Sequence, residues 1–379
     1  MPKLIIEGWR FLPHSYAVVN QWTCLALLRR PDIDFKIRDL PYFQPHWAPV
    51  GGLFPAGEEA ALRALPIAAP EERAETTMRI WFPFDFTPAG KRTWVYGTTE
   101  VQCMPQSWVR GDLANLRNES VGVITPSQWS KRGFVNGGVD ERRVFVVPIG
   151  VDTRMFRPRP DVRETIRKQL NLPGFTFLNV GGMIPNKGID LLFRALAAVV
   201  ERYPDVRLVL KGADSLYNSK DIVSTYLNAL PVATQEKVQS RVIYIGNSVS
   251  MENMASLYQC ADAYVSPYRA EGFNMPVLEA MASGLPVICT EGGSTDDFTR
   301  PDFTLRVFAA TLPINYCDTP GVMLEPNLEH LTAQMIRAIE DEAWCRQAGT
   351  RGAAFAQDNL GWDKVTGDLL KVILGEGGA

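Results

Sequence analysis

Histidine is scarce in this chain of 379 residues: there are three, His14, His46 and His330. That number excludes a histidine-rich metal centre. Six cysteines stand at positions 24, 103, 260, 289, 317 and 345, and no two are close enough to make a C-x-x-C pair. Such spacing suits neither zinc ligation nor a compact disulfide framework. It predicts reduced, mostly buried thiols in a cytoplasmic protein. Long apolar runs are missing too: Leu191–Leu192–Phe193 is already broken by Arg194. Nothing approaches the roughly 20 apolar residues of a membrane-crossing helix. There is no excess of positive charge, the formal net charge being −3. Nucleic-acid binders are usually basic, so no nucleic-acid partner is expected. The opening MPKLIIEGWRF reads as a strand and has no signal-peptide layout.

What is present has the balance of a globular protein, with 46% hydrophobic and 21% charged residues. Short apolar runs alternate with amphipathic stretches, the pattern of strand–helix–strand units and parallel sheets. Strands are expected at Leu4–Glu7, Thr77–Phe82, Arg92–Tyr96, Val121–Thr125 and Val144–Pro148. A helix is expected over Ala17–Arg29, and Ser127 stands where an N-cap belongs. The segment PIGVDTRMFRPRP holds three prolines and a glycine and reads as a linker. After it the alternation restarts. Strands are expected at Thr176–Val180, Arg207–Lys211, Val242–Ile245, Ala263–Ser266 and Pro286–Thr290. Helices fall between them, over Ile189–Tyr203, Ser219–Leu230, Met251–Cys260 and Pro276–Ser283. The reading is α/β, with two doubly wound domains: 1–155, 156–358, and a helical tail 359–379 that packs back on the first domain. In such sheets ligands bind beyond the carboxyl ends of the strands, so the cleft between two domains is the expected site.

Three segments carry chemistry. The first is EGFNMPVLE, Glu271 to Glu279, followed by AMASGLP. It reads as strand, glycine loop, helix. Pro276 suits a first helical turn and Gly284 the position that stops the helix. The amides of Phe273 to Val277 are expected to point out of the helix N-terminus, a place that attracts phosphate. Glu279, read as lying in the first turn, can accept hydrogen bonds from ribose hydroxyls, and Glu271 precedes the loop. A solvated acid pair around a tight turn is the plain alternative. The second segment is VGGMIPNKGID, where Gly181 and Gly182 allow close backbone approach and Lys187 can neutralise phosphate. It is neither a Walker A loop nor G-x-G-x-x-G. The third is the turn Glu291–Gly292–Gly293 at a strand's carboxyl end.

Taken in order, ITPSQWSKRGF, VFVVPIGVDTRMFRP, FLNVGGMIPNKGIDLLFRAL and EGFNMPVLEAMASGLPVICTEGG resemble glycosyltransferase family 4, retaining enzymes of the GT-B fold. The resemblance runs from about Val121 to Gly293 and resumes at GVMLEPNLEHL and NLGWDKV. It implies two Rossmann-like domains facing each other across a cleft. It also implies a nucleotide diphosphate sugar, UDP- or GDP-linked, as donor, and a glycan or glycolipid hydroxyl as acceptor. No metal and no other cofactor is implied. Glu271 then approaches the donor sugar, Glu279 binds the ribose, and the amides of Phe273, Asn274 and Met275 hold sugar and diphosphate. Lys187 meets the diphosphate, with Gly182 and Gly293 beside it. Two departures stand out. Gly182 occupies the place of the family's arginine, and Tyr96–Gly–Thr–Thr–Glu100 lacks the family's pocket histidine.

The first domain is expected to present the acceptor. In the family the loop after the first strand meets donor phosphate or acceptor. Here it offers His14, taken as catalytic, and Ser15, taken as a donor contact. Glu100, Asp85 and Trp47 are the acceptor candidates. Seven of the nine tryptophans precede the linker. They fit either ordinary core positions or a surface for sugar faces or lipid. With no clear basic amphipathic helix, only weak peripheral contact with a membrane is in view. A GT-B sugar-nucleotide epimerase and a non-catalytic binding protein are the rival readings.

Overall fold

The computed structural model describes residues 2–375. The chain divides into two compact units. The first comprises residues up to Gly150, Pro313–Val322 and the segment from Asn359 on. The second comprises Val151–Leu312 and Met323–Asp358.

Among the described residues sixteen strands are numbered in chain order. In the first unit β1 (Lys3–Gly8), β2 (Asp34–Asp39), β3 (Thr76–Ile80), β5 (Arg92–Tyr96), β7 (Val121–Thr125) and β8 (Val144–Val146) form one sheet, ordered β2-β1-β3-β5-β7-β8. Neighbouring pairs are parallel; Leu4 lies opposite Phe35 on one side and Thr76 on the other. The short β4 (Phe84–Asp85) and β6 (Val109–Arg110) pair separately. In the second unit β9 (Thr176–Val180), β10 (Arg207–Lys211), β11 (Val242–Ile245), β12 (Ala263–Ser266), β13 (Val287–Thr290) and β14 (Thr304–Val307) form a parallel sheet ordered β11-β10-β9-β12-β13-β14. A hairpin of β15 (Ala309–Tyr316) and β16 (Thr319–Pro326) follows.

The two sheets differ in winding. The second has the Rossmann order, 3-2-1-4-5-6, and its direction reverses between β9 and β12. The first has the order 2-1-3 and reverses between β1 and β3. Crevices beyond strand ends at such reversals are where doubly wound sheets bind ligands.

Packing follows from the sequence pattern. In the helix Ser15–Leu27 every residue from Tyr16 to Leu27 is buried, which is why its apolar positions run all round. The C-terminal helix Trp362–Leu374 belongs to the same unit: Trp362 stacks on Trp22 at 6.3 Å, and the Trp94 indole donates to the Ile373 carbonyl at 3.2 Å. In the second unit the helices Ile189–Arg202 and Leu328–Glu340 cover one face of the sheet with Phe193, Leu196, Val199, Leu331 and Met335. Full burial of each such side chain contributes about 1.5–3 kcal/mol. Five cysteines are buried and Cys317 is exposed; all are free thiols. Among the described residues no helix is long and apolar enough to cross a membrane.

The tryptophan asymmetry is largely a packing effect. Trp9, Trp22, Trp47, Trp81, Trp94 and Trp129 are all buried, and only Trp108 of the first seven is partly open. Trp9 and Trp81 both donate to the Pro41 carbonyl, at 2.8 and 2.9 Å, so they pin the loop that follows β2.

Candidate active site

Lys187 and Glu271 are 84 residues apart and form an ion pair, with both side chains largely shielded from water. Their meeting has a local cause. Each stands on a loop at the carboxyl edge of β9 or β12, the two strands that flank the reversal of the sheet. Asn186 ties the loops together: its carbonyl accepts from the Arg269 amide at 2.7 Å, and its Nδ2 donates to the Ala270 carbonyl at 3.0 Å. Arg269 then forks onto Asp190 at 2.7 and 2.8 Å and onto Glu325 at 2.6 and 3.1 Å. Bidentate guanidinium pairs of this kind fix geometry as well as charge. Nothing at the level of motif pointed to Asn186, Asp190, Arg269 or Glu325, because their partners are distant in sequence.

The EGFNMPVLE segment departs in detail from its sequence reading. The helix spans Met275–Ala282, with Asn274 as N-cap in the left-handed region at φ 73°. Asparagine tolerates that region better than most residues, and its Nδ2 is held by the Ser266 hydroxyl at 3.0 Å. Because the helix starts one residue early, Glu279 lies in the second turn and not the first. The Val277 amide is also not open, since it donates to the Asn274 carbonyl at 3.0 Å. The amides of Phe273, Asn274 and Met275 have no acceptor among the described residues. Phe273 itself is buried and stacks on Phe298 at 4.6 Å, so it presents only backbone.

Glu279 is half-buried on its helix. Among the described residues, its one hydrogen bond comes from the Tyr258 hydroxyl at 2.6 Å. Burial pushes its carboxyl up to about 7, and the Tyr258 bond opposes the shift only in part. The plain alternative of a solvated acid pair therefore fails: Glu271 is buried in an ion pair, and Glu279 is half-buried and bonded to Tyr258.

Gly182 has a steric reason. A Cβ there would meet the Tyr217 ring at 2.8 Å, so the ring takes the space in which an arginine stem would begin. Ser219 fixes the same turn by donating to the Gly182 carbonyl at 2.8 Å. Gly293 is buried against the Tyr268 hydroxyl, just ahead of a short turn over Ser294–Asp297.

In the first unit His14 is the N-cap of the helix Ser15–Leu27. Its Nδ1 accepts from the Tyr16 amide at 3.2 Å, which leaves the proton of the neutral ring on Nε2. Trp9, Tyr16 and Trp47 surround the ring, with centroids 5.1–5.7 Å away. Burial among them pushes the imidazole down to about 4, so it is neutral near pH 7. Ser15 is exposed on the first helical turn. The Tyr16 hydroxyl accepts from the Thr98 amide at 3.0 Å, where the pocket histidine of the family would stand. Glu100 is half-buried, and its carbonyl accepts from the Trp129 indole at 2.7 Å. Asp85 caps its own turn through the Thr87 amide at 2.8 Å and lies 3.6 Å from Arg79. Trp47 is buried, with an indole N–H that finds no partner among the described residues.

Comparison with known proteins adds the family. Residues 174–341 match the model described as "Glycosyl transferases group 1". The mannosylfructose-phosphate synthase of Agrobacterium fabrum is 31% identical over 240 residues, covering 63% of this chain and 49% of that protein. The D-inositol 3-phosphate glycosyltransferase of Acidothermus cellulolyticus is 29% identical over 53% of this chain and 44% of its own length. The chain thus spans about half the length of these curated relatives. Among solved structures, HepE of Anabaena in complex with UDP and glucose aligns over 99% of this chain and 100% of its own, with a TM-score of 0.70 at 14% identity. A glycosyltransferase from Rickettsia africae aligns over 99% and 98%, with a TM-score of 0.71 at 15% identity. The shared fold is the GT-B class, with two Rossmann-like domains.

Proposed function

We propose that the chain is a retaining glycosyltransferase of family 4 type. It moves a sugar from a UDP- or GDP-linked donor to a hydroxyl of a glycan or glycolipid acceptor, without a metal ion. The observation that carries this reading is the buried Lys187–Glu271 pair beside the open amides of Phe273, Asn274 and Met275. A diphosphate is charged before transfer and carries more charge as it leaves. A fixed cation and a helix N-terminus stabilise it most at that moment. Glu271, adjacent to Lys187, is then the carboxylate nearest the sugar. Glu279 takes the ribose hydroxyls.

In this reading the sugar C1–phosphate bond breaks while the acceptor oxygen bonds C1 on the same face. The acceptor proton passes to the departing phosphate oxygen, so no protein nucleophile is assigned. The first unit presents the acceptor. There His14 donates a hydrogen bond through Nε2 and does not act as an acid, and Ser15, Glu100 and Asp85 offer polar contacts. The names of the matched relatives, which include a mannosyltransferase and several inositol phosphate glycosyltransferases, support transfer over isomerisation. So does the UDP-glucose complex of HepE. The proposed location is cytoplasmic, with peripheral contact at a membrane where the acceptor is a glycolipid.

Purified protein with labelled UDP- and GDP-sugars tests the reading. Label transferred in EDTA, with the anomeric configuration kept, supports it. Activity lost in EDTA and restored by manganese overturns the metal-free mechanism. Label that isomerises without transfer favours the epimerase. The glycine at position 182 favours a non-catalytic sugar-nucleotide binder as the second reading, and any donor hydrolysis by the purified chain excludes it.

A further inference from the structure

Lys211 is the last residue of β10, at the carboxyl edge of the second sheet. Leu208 and Leu210 belong to the core beneath the helices Ile189–Arg202 and Leu328–Glu340. Strand alternation therefore sends Lys211 to the opposite face. That face carries Tyr264, whose ring meets Tyr258 at 6.1 Å, and through Tyr258 it carries Glu279. Lys211 is 6% exposed. An ammonium has three protons to donate. Among the described residues, this one has a single hydrogen bond, to the carbonyl of its neighbour Gly212. Burial pushes its pKa down, and Asp214 is the charge that opposes the shift. A buried cation this poorly satisfied costs stability, and nothing in the fold repays it.

The rim around it is fixed. The Gly212 amide donates to the Ile245 carbonyl at 2.9 Å, and the Asp214 amide to Gly246 at 3.0 Å. The Ser215 and Ser248 hydroxyls lie 3.1 Å apart. On the functional reading above, diphosphate lies at the β9 and β12 loops and ribose at Glu279. The base then continues over β10 and β11, the strands on the far side of β9.

We propose that Lys211 reads the donor's nucleobase: its ammonium donates to the oxygen at C4 of uracil or C6 of guanine, so the site takes these keto bases over cytosine and adenine, which carry an amino group at that position. This inference rests on the transferase reading. A neutral carbonyl fits better than a second phosphate, because the Asp214 carboxylate acts on the same place. Uracil and guanine present an acceptor where cytosine and adenine present an N–H2 donor. A site built around a buried donor rejects the mismatched partner strongly.

Calorimetry of the full chain with UDP, GDP, CDP and ADP tests the assignment. The wild type is expected to bind UDP or GDP at least tenfold tighter than CDP and ADP. Lys211→Met should lose at least tenfold on the preferred nucleotide and leave CDP and ADP within twofold. Without ligand it should melt no lower than wild type, since methionine fills the volume without a buried charge. If Lys211→Met does not fold, Lys211→Gln makes the same comparison. Its amide serves donors and acceptors alike, so the preference should fall toward one. Equal loss on all four nucleotides, or an unchanged preference, overturns the Lys211 assignment alone. If the wild type binds none of the four, the transferase reading itself fails.

Discussion

The loops after β1 and β9 hold the same position in their sheets, each beside the strand where the order reverses, yet they are built from opposite materials. The loop after β1 is aromatic: Trp9, His14, Tyr16 and, packed on them, Trp47 make a low-dielectric cluster in which His14 is held neutral. The loop after β9 carries Lys187, paired with Glu271 of the loop after β12 and braced by Arg269, Asp190 and Glu325. The contrast teaches that one fold can be tuned for uncharged hydroxyls or for phosphate by the residues of a single crossover. In the proposed reaction the second unit handles the charge and the first handles the sugar hydroxyls.

The largest effect that would break this comparison is expected at Lys187. Lys187→Ala should lose both nucleotide binding and transfer, with turnover falling roughly 1,000-fold. It also leaves Glu271 buried without its cation, so a melting curve must accompany the assay. A Lys187→Ala variant that folds and turns over normally would refute the charged role of the β9 loop.

Glu271→Gln separates binding from chemistry. Free UDP or GDP should bind nearly as to wild type, while single-turnover transfer falls by roughly 100-fold, because this contribution belongs to the transition state. Full turnover would show that the carboxylate does not face the sugar.

Glu279→Gln should act on binding. Loss of charge-assisted hydrogen bonds to ribose should weaken nucleotide diphosphate binding by about 1–3 kcal/mol, with kcat less changed. Its raised pKa gives this prediction a pH signature. An ordinary glutamate ionises near 4.5 and this one near 7. The folded state therefore loses stability as pH rises from about 4.5 through 7, by about 3 kcal/mol in total, and none further above that. Thermal melts from pH 5 to 8 should show the decline in wild type and a flatter curve in Glu279→Gln. Nucleotide binding should strengthen over the same range only where Glu279 is present.

The smallest effect sharpens the aromatic side. A histidine with a depressed pKa works in the opposite direction: His14 contributes stability above about pH 6.5 and loses it as pH falls toward 4. His14→Asn keeps the cap and should melt less steeply between pH 6.5 and 4.5. An unchanged slope would mean that His14 is not held neutral.

Much of this architecture is readable from the chain, and the parts that are not share a cause. The strands Arg92–Tyr96, Thr176–Val180, Arg207–Lys211, Val242–Ile245 and Ala263–Ser266 have the bounds that the apolar runs predict, because each lies in a parallel sheet and all but the half-buried edge strand Val242–Ile245 are largely buried. The edge strand β2, DFKIRD, alternates charge with apolar residues and escapes notice. The helix Pro160–Gln169 buries no residue, so its polar sequence just after the linker gives no apolar run to mark it. The hairpin Ala309–Pro326 is mostly exposed along β15 and gives no run at all. At the site, Glu271, Glu279 and Lys187 stand out by motif. The Arg269 bridge and the Tyr258 bond to Glu279 join residues that local pattern cannot pair.

The Tyr217 ring over Gly182 also sets an order of events. Writing arginine into position 182 alone drives its first side-chain carbon into an aromatic face. Trimming Tyr217 first opens the space. The family's arginine is thus two substitutions away, and they are passable in one sequence only. The tyrosine acts as a ratchet, holding the proposed diphosphate site to one fewer cation.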